Sequence, residues 1–540
     1  MKQQGSLRKH KCQRLAAAIL FGLVAINFAL PPTEAAEPSV RVTGYEFTGE
    51  IPVAESELQA VLAAHRGKEA KLKDLEAQAA EITHYLRSKG YFVAQAYVPP
   101  QEFKTGHIQI KVMPGRYGKV TLNNKTKAHD SVIRKELGNV KDGALIYKDD
   151  LERGIWLVGD LATRTEAKTT LKAGEKPGTT DLTVNVSPKG SRLWGYVGFD
   201  NGGYHYTGRY QYSVFASYAN PFRQGDLLTI SGVRSNTGRS MWSGSAAYVT
   251  PVFSQGNTFG ISYAKSHYLL GGPFESMGYT GSANIWSFWL EHNFQRSRNA
   301  NWYGQIRFDV KSMNDGSDSI SYAYDDPKHS HNWVIGIHGD TLDTWKGGGA
   351  NTYAFTYTHG NLSLEDDLTR LYDDYTAQTH GYFSKYNFTI TRLQKVRDRL
   401  SLYLSYTRQW AEKNLDPSEK LCLGGPYGVR AYPVGEASGD DGWLGTAELR
   451  WNLPSKEGDK NIWQLITFVD SGSVRLYHDT WAGYTGTNNR SLSGMGVGVN
   501  WSYEGNWAAR LHYAWKLGSE DALSDTDRSG RLWFQLYRFF

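Results

Sequence analysis

From Arg192 to Phe540 the chain repeats one pattern: short runs in which apolar and polar residues alternate, divided by Gly, Asn, Asp and Pro. A period of two is that of a β-strand with two unlike faces. Sixteen such runs lie near 194–200, 207–218, 225–235, 240–249, 256–266, 283–295, 302–313, 332–343, 352–361, 382–394, 399–411, 443–453, 463–474, 491–503, 506–517 and 531–540. An even number of strands, most of them about 9–11 residues long, is what a transmembrane β-barrel requires. The run 491–503 shows the pattern: Met495, Val497, Val499 and Trp501 share one face, and Gly494, Gly496, Gly498 and Asn500 the other. Connections alternate as well, short at Pro221–Gly225 and Pro251–Gly256, long at 267–282, 314–331, 362–381 and 412–442. A soluble all-β protein also alternates, but it would need a sheet partner for every strand.

Before residue 190 the period changes. Two α/β units are predicted, each in the order β-α-α-β-β. The first has a strand at Val40–Thr48, a helix around Ser56–Ala64 and a second helix whose Leu75, Ala79, Ile82 and Leu86 form one stripe. That helix stops at Lys89-Gly90, and strands Tyr91–Val98 and His107–Met113 follow. The second unit repeats the order with a strand at Lys119–Leu122, helices Ser131–Leu137 and Leu151–Leu161, and strands Glu166–Lys172 and Asp181–Ser187.

Composition and charge sharpen this picture. With 57 Gly, 34 Tyr, 17 Trp and a mean hydropathy of −0.51, the chain is no helical membrane bundle. A barrel's alternating faces cancel in such an average. Lys2, Arg8, Lys9, Lys11 and Arg14 precede an apolar run to Leu30 and a small-residue site at Ala35-Ala36, so residues 1–36 are read as a cleavable export leader. Its loss takes five Lys/Arg and one Glu and brings the net charge from +6 to +2, which removes the support for a nucleic-acid partner. Cys422 is then the remaining cysteine, so no internal disulfide is expected.

Catalytic signatures are missing: there is no Gly-x-Ser-x-Gly, His-Glu-x-x-His, Walker loop or Cys-x-x-Cys. His329 and His331 are placed in a polar loop, Asp366-Asp367 and Asp440-Asp441 are acidic loop pairs, and Cys422 has no evident base. Neither an enzyme nor a metal or other cofactor is expected. Two stretches remain. Leu423 to Asp441 holds five glycines and two prolines around Gly428-Val429-Arg430-Ala431-Tyr432, a segment able to fold back and place Arg430 at one point. In the thirteenth run Phe468, Asp470 and Gly472 share a face, which is the lumen because a carboxylate facing lipid is costly. An arginine brought inside would find a fork-shaped acceptor in Asp470.

Three resemblances follow. Residues 40–188, above all Ile82–Gln101, look like POTRA domains of outer-membrane transporters. The Arg430 and Asp470 motifs resemble those of the two-partner secretion transporters (TpsB, the haemolysin-activator type) and their superfamily, which includes the insertase BamA. The terminal aromatic Phe540 resembles the signal read by the barrel-assembly machinery. The family resemblance implies a leader at 1–36, POTRA domains at 37–115 and 116–190, and a 16-stranded barrel from 191 to 540 with loop 412–442 folded into its lumen. It implies that Arg430 meets Asp470, with Ala431 where the family usually has Gly, so that the backbone there avoids positive φ. It implies a client-binding sheet edge at Phe92, Val93, Ala94, Gln95, Ala96, Tyr97 and Val98, with another at Glu166–Lys172.

The function so implied is a bacterial outer-membrane pore with periplasmic POTRA domains. It would capture an unfolded exoprotein, a TpsA-like β-helical adhesin, cytolysin or contact-dependent toxin, and secrete it. Outer-membrane lipid and the barrel-assembly machinery are the other partners. The first strand begins close after the leader, leaving no room for a plug helix, so the loop is expected to carry more of the occlusion. A BamA-type insertase and a passive porin stay open as alternatives.

Overall fold

The computed structural model describes residues 39–102, 105–236, 241–317, 319 and 324–540; the expected leader lies outside them. In the first N-terminal unit, strand Gly44–Gly49 runs parallel to His107–Met113, which pairs antiparallel with Gln95–Tyr97. Helices Glu55–Val61 and Leu72–Ser88 pack against this sheet. Leu75, Ala79, Ile82 and Leu86 of the long helix are all buried with Ile108, Ile110 and Val112, and each large apolar side chain so buried contributes about 1.5–3 kcal/mol. Asp74 accepts from the Lys71 N–H at 2.9 Å to cap the helix start.

Two expectations are corrected in this unit. Val40–Thr48 is two strands, because Val42 turns inward and donates to Lys68 O, leaving Ser39–Arg41 to pair with Glu69–Lys71 in a separate sheet. Tyr91–Val98 contains three strand residues, Gln95–Tyr97. The Ala94 N–H donates to Tyr91 O at 2.8 Å, closing a turn ahead of them. Ala94 is buried in the first unit's core, while Phe92 and Val93 pack against the core of the second. These side chains tie the two units together and leave a short edge.

In the second unit Arg116–Asn124 runs parallel to Thr179–Pro188, which pairs antiparallel with Thr165–Ala173. Helices Asp130–Leu137 and Lys148–Asp160 close its core over Leu182, Val184 and Val186.

Among the described residues sixteen strands close into one antiparallel barrel, neighbours in chain order. Barrel strands 1 to 8 are Leu193–Asp200, Gln211–Ala219, Leu227–Ser235, Trp242–Pro251, Asn257–Leu269, Tyr279–Arg296, Ala300–Ser317 and Tyr324–Asp343. Strands 9 to 16 are Gly349–Leu364, Gly381–Arg397, Leu400–Ala411, Asp441–Asn452, Asn461–Arg475, Asn489–Tyr503, Trp507–Lys516 and Gly530–Phe539. On strand 8 Trp333, Ile335 and Ile337 point outward, while Asn332 and Val334 are buried, the apolar-out pattern that lipid demands. Strand 16 closes on strand 1 through Gln535–Phe539, and Phe540 adds a reciprocal pair of backbone bonds with Gly195 at 3.0 and 3.1 Å.

Strands 6 to 8 run for 18, 18 and 20 residues, so much of the expected loops 267–282 and 314–331 is strand. Past the bilayer both faces of a hairpin meet water. Alternation then fades while backbone pairing continues, as in Asp315 opposite Asp326. His329 and His331 therefore lie on strand 8, with His329 Nε2 2.8 Å from Glu365. The 362–381 connection holds a helix, Asp367–Tyr375, whose start Asp366 caps by accepting from Thr369 N at 2.7 Å.

The second unit is docked on the short-turn rim. Asp160 accepts two bonds from Arg296, at 2.6 and 2.8 Å. Arg153 donates to the Asn293 side chain at 2.8 Å, and Glu136 accepts from the Gly256 N–H at 2.9 Å.

Candidate functional site

The 412–440 loop between strands 11 and 12 lies inside the barrel. Its own backbone makes a knot: Val429 N donates to Leu423 O at 2.7 Å, Gly425 N to Tyr432 O at 3.2 Å, and Leu421–Cys422 pairs with Ser438–Gly439. Gly428 is required there, because a Cβ would sit 1.9 Å from Leu423 O. Leu423, Val429, Ala431 and Tyr432 are fully buried against Ile466 and Phe468 of strand 13 and Leu492 of strand 14. Gly494 on strand 14 leaves the space that Ala431 fills, since a Cβ on Gly494 would stand 2.5 Å from that of Ala431. Ala431 keeps a negative φ.

At the knot's tip Arg430 reaches the wall. Its Nε and Nη2 donate to the two oxygens of Asp470 at 2.8 and 2.9 Å, and its backbone N–H donates to Asp470 Oδ2 at 3.2 Å. Nη1 donates to Glu448 on strand 12 at 2.8 Å, and Glu448 also accepts from Arg450 at 2.8 Å. Thr446 donates to Asp470 Oδ1 at 2.9 Å, and the guanidinium lies 3.3 Å from the centre of the Phe468 ring. From strand 16 the Trp533 indole N–H donates to Arg430 O at 2.7 Å. Asp470 has no solvent exposure and Arg430 6 %. Two arginines and two carboxylates balance, which is the condition for burying charge at modest cost.

Other ties hold the rest of the loop. Glu436 accepts from Arg490 at 2.5 Å and from the N–H groups of Leu523 and Ser524 at 2.9 and 2.8 Å. Asp440 pairs with Lys420 at 3.0 Å, Asp441 with Arg475 at 2.6 Å, and Tyr432 donates to Glu520 O at 3.0 Å. The acidic pair Asp440-Asp441 thus fastens the loop's end, and Cys422 Sγ faces Glu436 O at 3.6 Å.

The sequence motifs that meet in space are Arg430, Phe468 and Asp470, with Gly472 against Leu423. The Gln95–Tyr97 edge and Phe540 lie elsewhere, at the first unit and at the closing seam. Sequence reasoning missed Glu448, Trp533 and Glu436. Glu448 was findable: Gly442, Leu444, Thr446, Glu448 and Arg450 share a parity on strand 12, and a charge in mid-strand has to face the lumen.

A barrel entered by its own loop, behind α/β units, is an architecture with known relatives. The family model for the haemolysin secretion/activation protein ShlB/FhaC/HecB matches residues 178–501. The chain belongs to this family. A second match, the ShlB-type POTRA domain, covers residues 40–115. Among curated proteins the heme/hemopexin transporter protein HuxB of Haemophilus influenzae is 27 % identical over 493 residues, spanning 90 % of this chain and 85 % of that one. The outer membrane transporter CdiB of Dickeya dadantii is 25 % identical over 443 residues, 78 % of this chain and 72 % of that one. The structure of CdiB from Escherichia coli superposes with a TM-score of 0.78 at 20 % identity, covering 95 % and 93 % of the two chains. BamA from Haemophilus ducreyi without its first three POTRA domains gives 0.51 at 13 % identity, covering 93 % and 99 %, a likeness of fold. As a ShlB/FhaC/HecB protein, the chain is an outer-membrane secretion transporter with POTRA structure in the periplasm.

Proposed function

We propose that this protein captures one unfolded exoprotein on two periplasmic POTRA domains, residues 37–115 and 116–190, and threads it through a lumen that the 412–440 loop closes at rest. The observation that carries this reading is the loop's seat: a forked, buried contact of Arg430 with Asp470 and Glu448 inside a secretion-family barrel. A passive pore has no use for such a seat. Capture proceeds by adding client strands to open sheet edges. Thr165–Ala173, nine residues long and paired on one side, offers more backbone than Gln95–Tyr97. The client in this reading is a large β-helical exoprotein of the adhesin, cytolysin or contact-dependent toxin class. Phe540, at the closing seam, serves as the assembly signal.

The test compares proteins released into the medium by cells with and without the transporter, then repeats the comparison with Arg430→Ala. The released exoprotein is expected to vanish from the medium while the barrel still shows heat-modifiable migration. Undiminished release by Arg430→Ala overturns the reading.

A further inference from the structure

The Arg430 knot holds the loop to strands 12, 13, 14 and 16, while the near limb, residues 412–422, is tied to the loop's far end by Lys420–Asp440 and by Leu421–Cys422 and meets the opposite wall through separate contacts. Pro417–Glu419 forms a short helical turn at the end of that limb, started by Asp416, which accepts from Ser418 N at 2.9 Å. It delivers Glu419 to a different part of the wall. Glu419 Oε1 accepts from Lys311 of strand 7 at 2.5 Å and from Asn332 of strand 8 at 2.9 Å. Its Oε2 lies 2.7 Å from Lys385 of strand 10, which also donates to Glu419 O at 2.8 Å. Three strands, separated from Glu419 by 34 to 108 residues, converge on one carboxylate. Its side chain is 6 % exposed, those of Lys311 and Lys385 14 % and 13 %.

We propose that Glu419 is a second latch of the plug, a positioning residue that shuts the lumen along strands 7, 8 and 10 independently of Arg430. This rests on reading the 412–440 loop as the resting plug. The charge count gives the latch its character. One carboxylate is in direct contact with two lysines. Lys328 nearby is held by Asp315 at 3.2 Å, Asp326 at 3.5 Å and, on the limb itself, Asp416 at 3.8 Å. Removing Glu419 leaves two neighbouring ammonium groups without a counter-charge, and burying them dry is costly. Water and anions then enter between the limb and the wall. The knot, by contrast, adds an apolar cluster around Leu423, Val429 and Tyr432 to its charged contacts.

The experiment is single-channel recording of the purified full chain in planar lipid bilayers. Glu419→Gln is expected to raise the open fraction by more than about ten-fold and to move the reversal potential in a KCl gradient toward chloride. Exchanging the charges, Glu419→Lys with Lys385→Glu, is expected to restore closure. A short, reducible bis-methanethiosulfonate cross-link between Glu419→Cys and Asn332→Cys, in a Cys422→Ser background, keeps the pore closed, and reduction opens it. Deleting 412–440 separates the two levels of the argument. If the deletion opens the pore while Glu419→Gln and the reduced cysteine pair stay closed, the latch is wrong and the plug stands. If the deletion itself changes nothing, both fall.

Discussion

At the scale of the residue, the site turns on what a guanidinium does that an ammonium does not. Arg430 spends Nε and Nη2 on Asp470 and Nη1 on Glu448, a planar fork serving two strands at once. Lysine would bring the same charge as a point and could not span both acceptors in this geometry. Arg430→Lys is therefore expected to loosen the loop although the net charge is unchanged, and Asp470→Ala to loosen it further. The second change leaves the guanidinium with Glu448, already shared with Arg450, and removing one partner of a buried pair costs about 3–5 kcal/mol. Limited proteolysis of the detergent-solubilised protein measures both, with cleavage inside 412–440 faster in the order Asp470→Ala, Arg430→Lys, wild type. Equal rates for Arg430→Lys and wild type would show that charge alone holds the loop.

At the scale of the element, the fit between loop and wall depends on residues that do nothing polar. Ala431 fills the space over Gly494, and a larger side chain there pushes directly on the knot. Overpacking of a tight contact costs about 1–3 kcal/mol, less than a strand pairing of this length can absorb. Gly494→Val is thus expected to assemble a normal heat-modifiable barrel with a displaced loop, read as raised conductance. Barrel misassembly would show instead that strand 14 itself needs the glycine. This level also divides what was legible in the sequence from what was not. Alternation located all sixteen strands because lipid on one face and lumen on the other force a period of two. It failed at the ends of strands 6 to 8, where both faces are wet, and so His329 was read as loop. It failed at Phe92 and Val93 because their apolar side chains serve a neighbouring domain's core, which looks in sequence like a strand's own buried face. The resemblance of two motifs to those of a known family singled out Arg430 and Asp470 together. The partnership of Glu448 and the convergence on Glu419 depend on contacts between distant strands that no local period records.

At the scale of the whole molecule, export couples a periplasmic unit to a barrel, and the joint between them contains a titratable group in an unfavourable place. Glu136 is 3 % exposed at the junction of the second unit with the turn at Gly256, and one of its oxygens, Oε1, is buried without a hydrogen-bond partner. Burial pushes its carboxyl above the usual glutamate range, partly opposed by the Gly256 N–H and by the charges of Lys135 and Arg153. A carboxyl with a raised pKa when docked favours docking in its neutral form. That contribution is complete below the ordinary glutamate value of 4.5 and is lost as pH rises through the raised value. Arg296–Asp160 and Arg153–Asn293 hold the same joint without a carboxyl to be desolvated at Gly256, so the unit stays attached while its seat softens. Glu136→Gln keeps an oxygen for the Gly256 N–H and removes the charge. Spin labels on the helix Asp130–Leu137 and on the barrel turn 344–348 report the outcome as a distance distribution. In the wild type the distribution is expected to broaden between pH 4.5 and 8, and in Glu136→Gln to stay narrow throughout. A wild-type distribution that does not change with pH would mean that the ionised carboxylate is as well accommodated at the joint as the neutral acid, against the burial of Oε1.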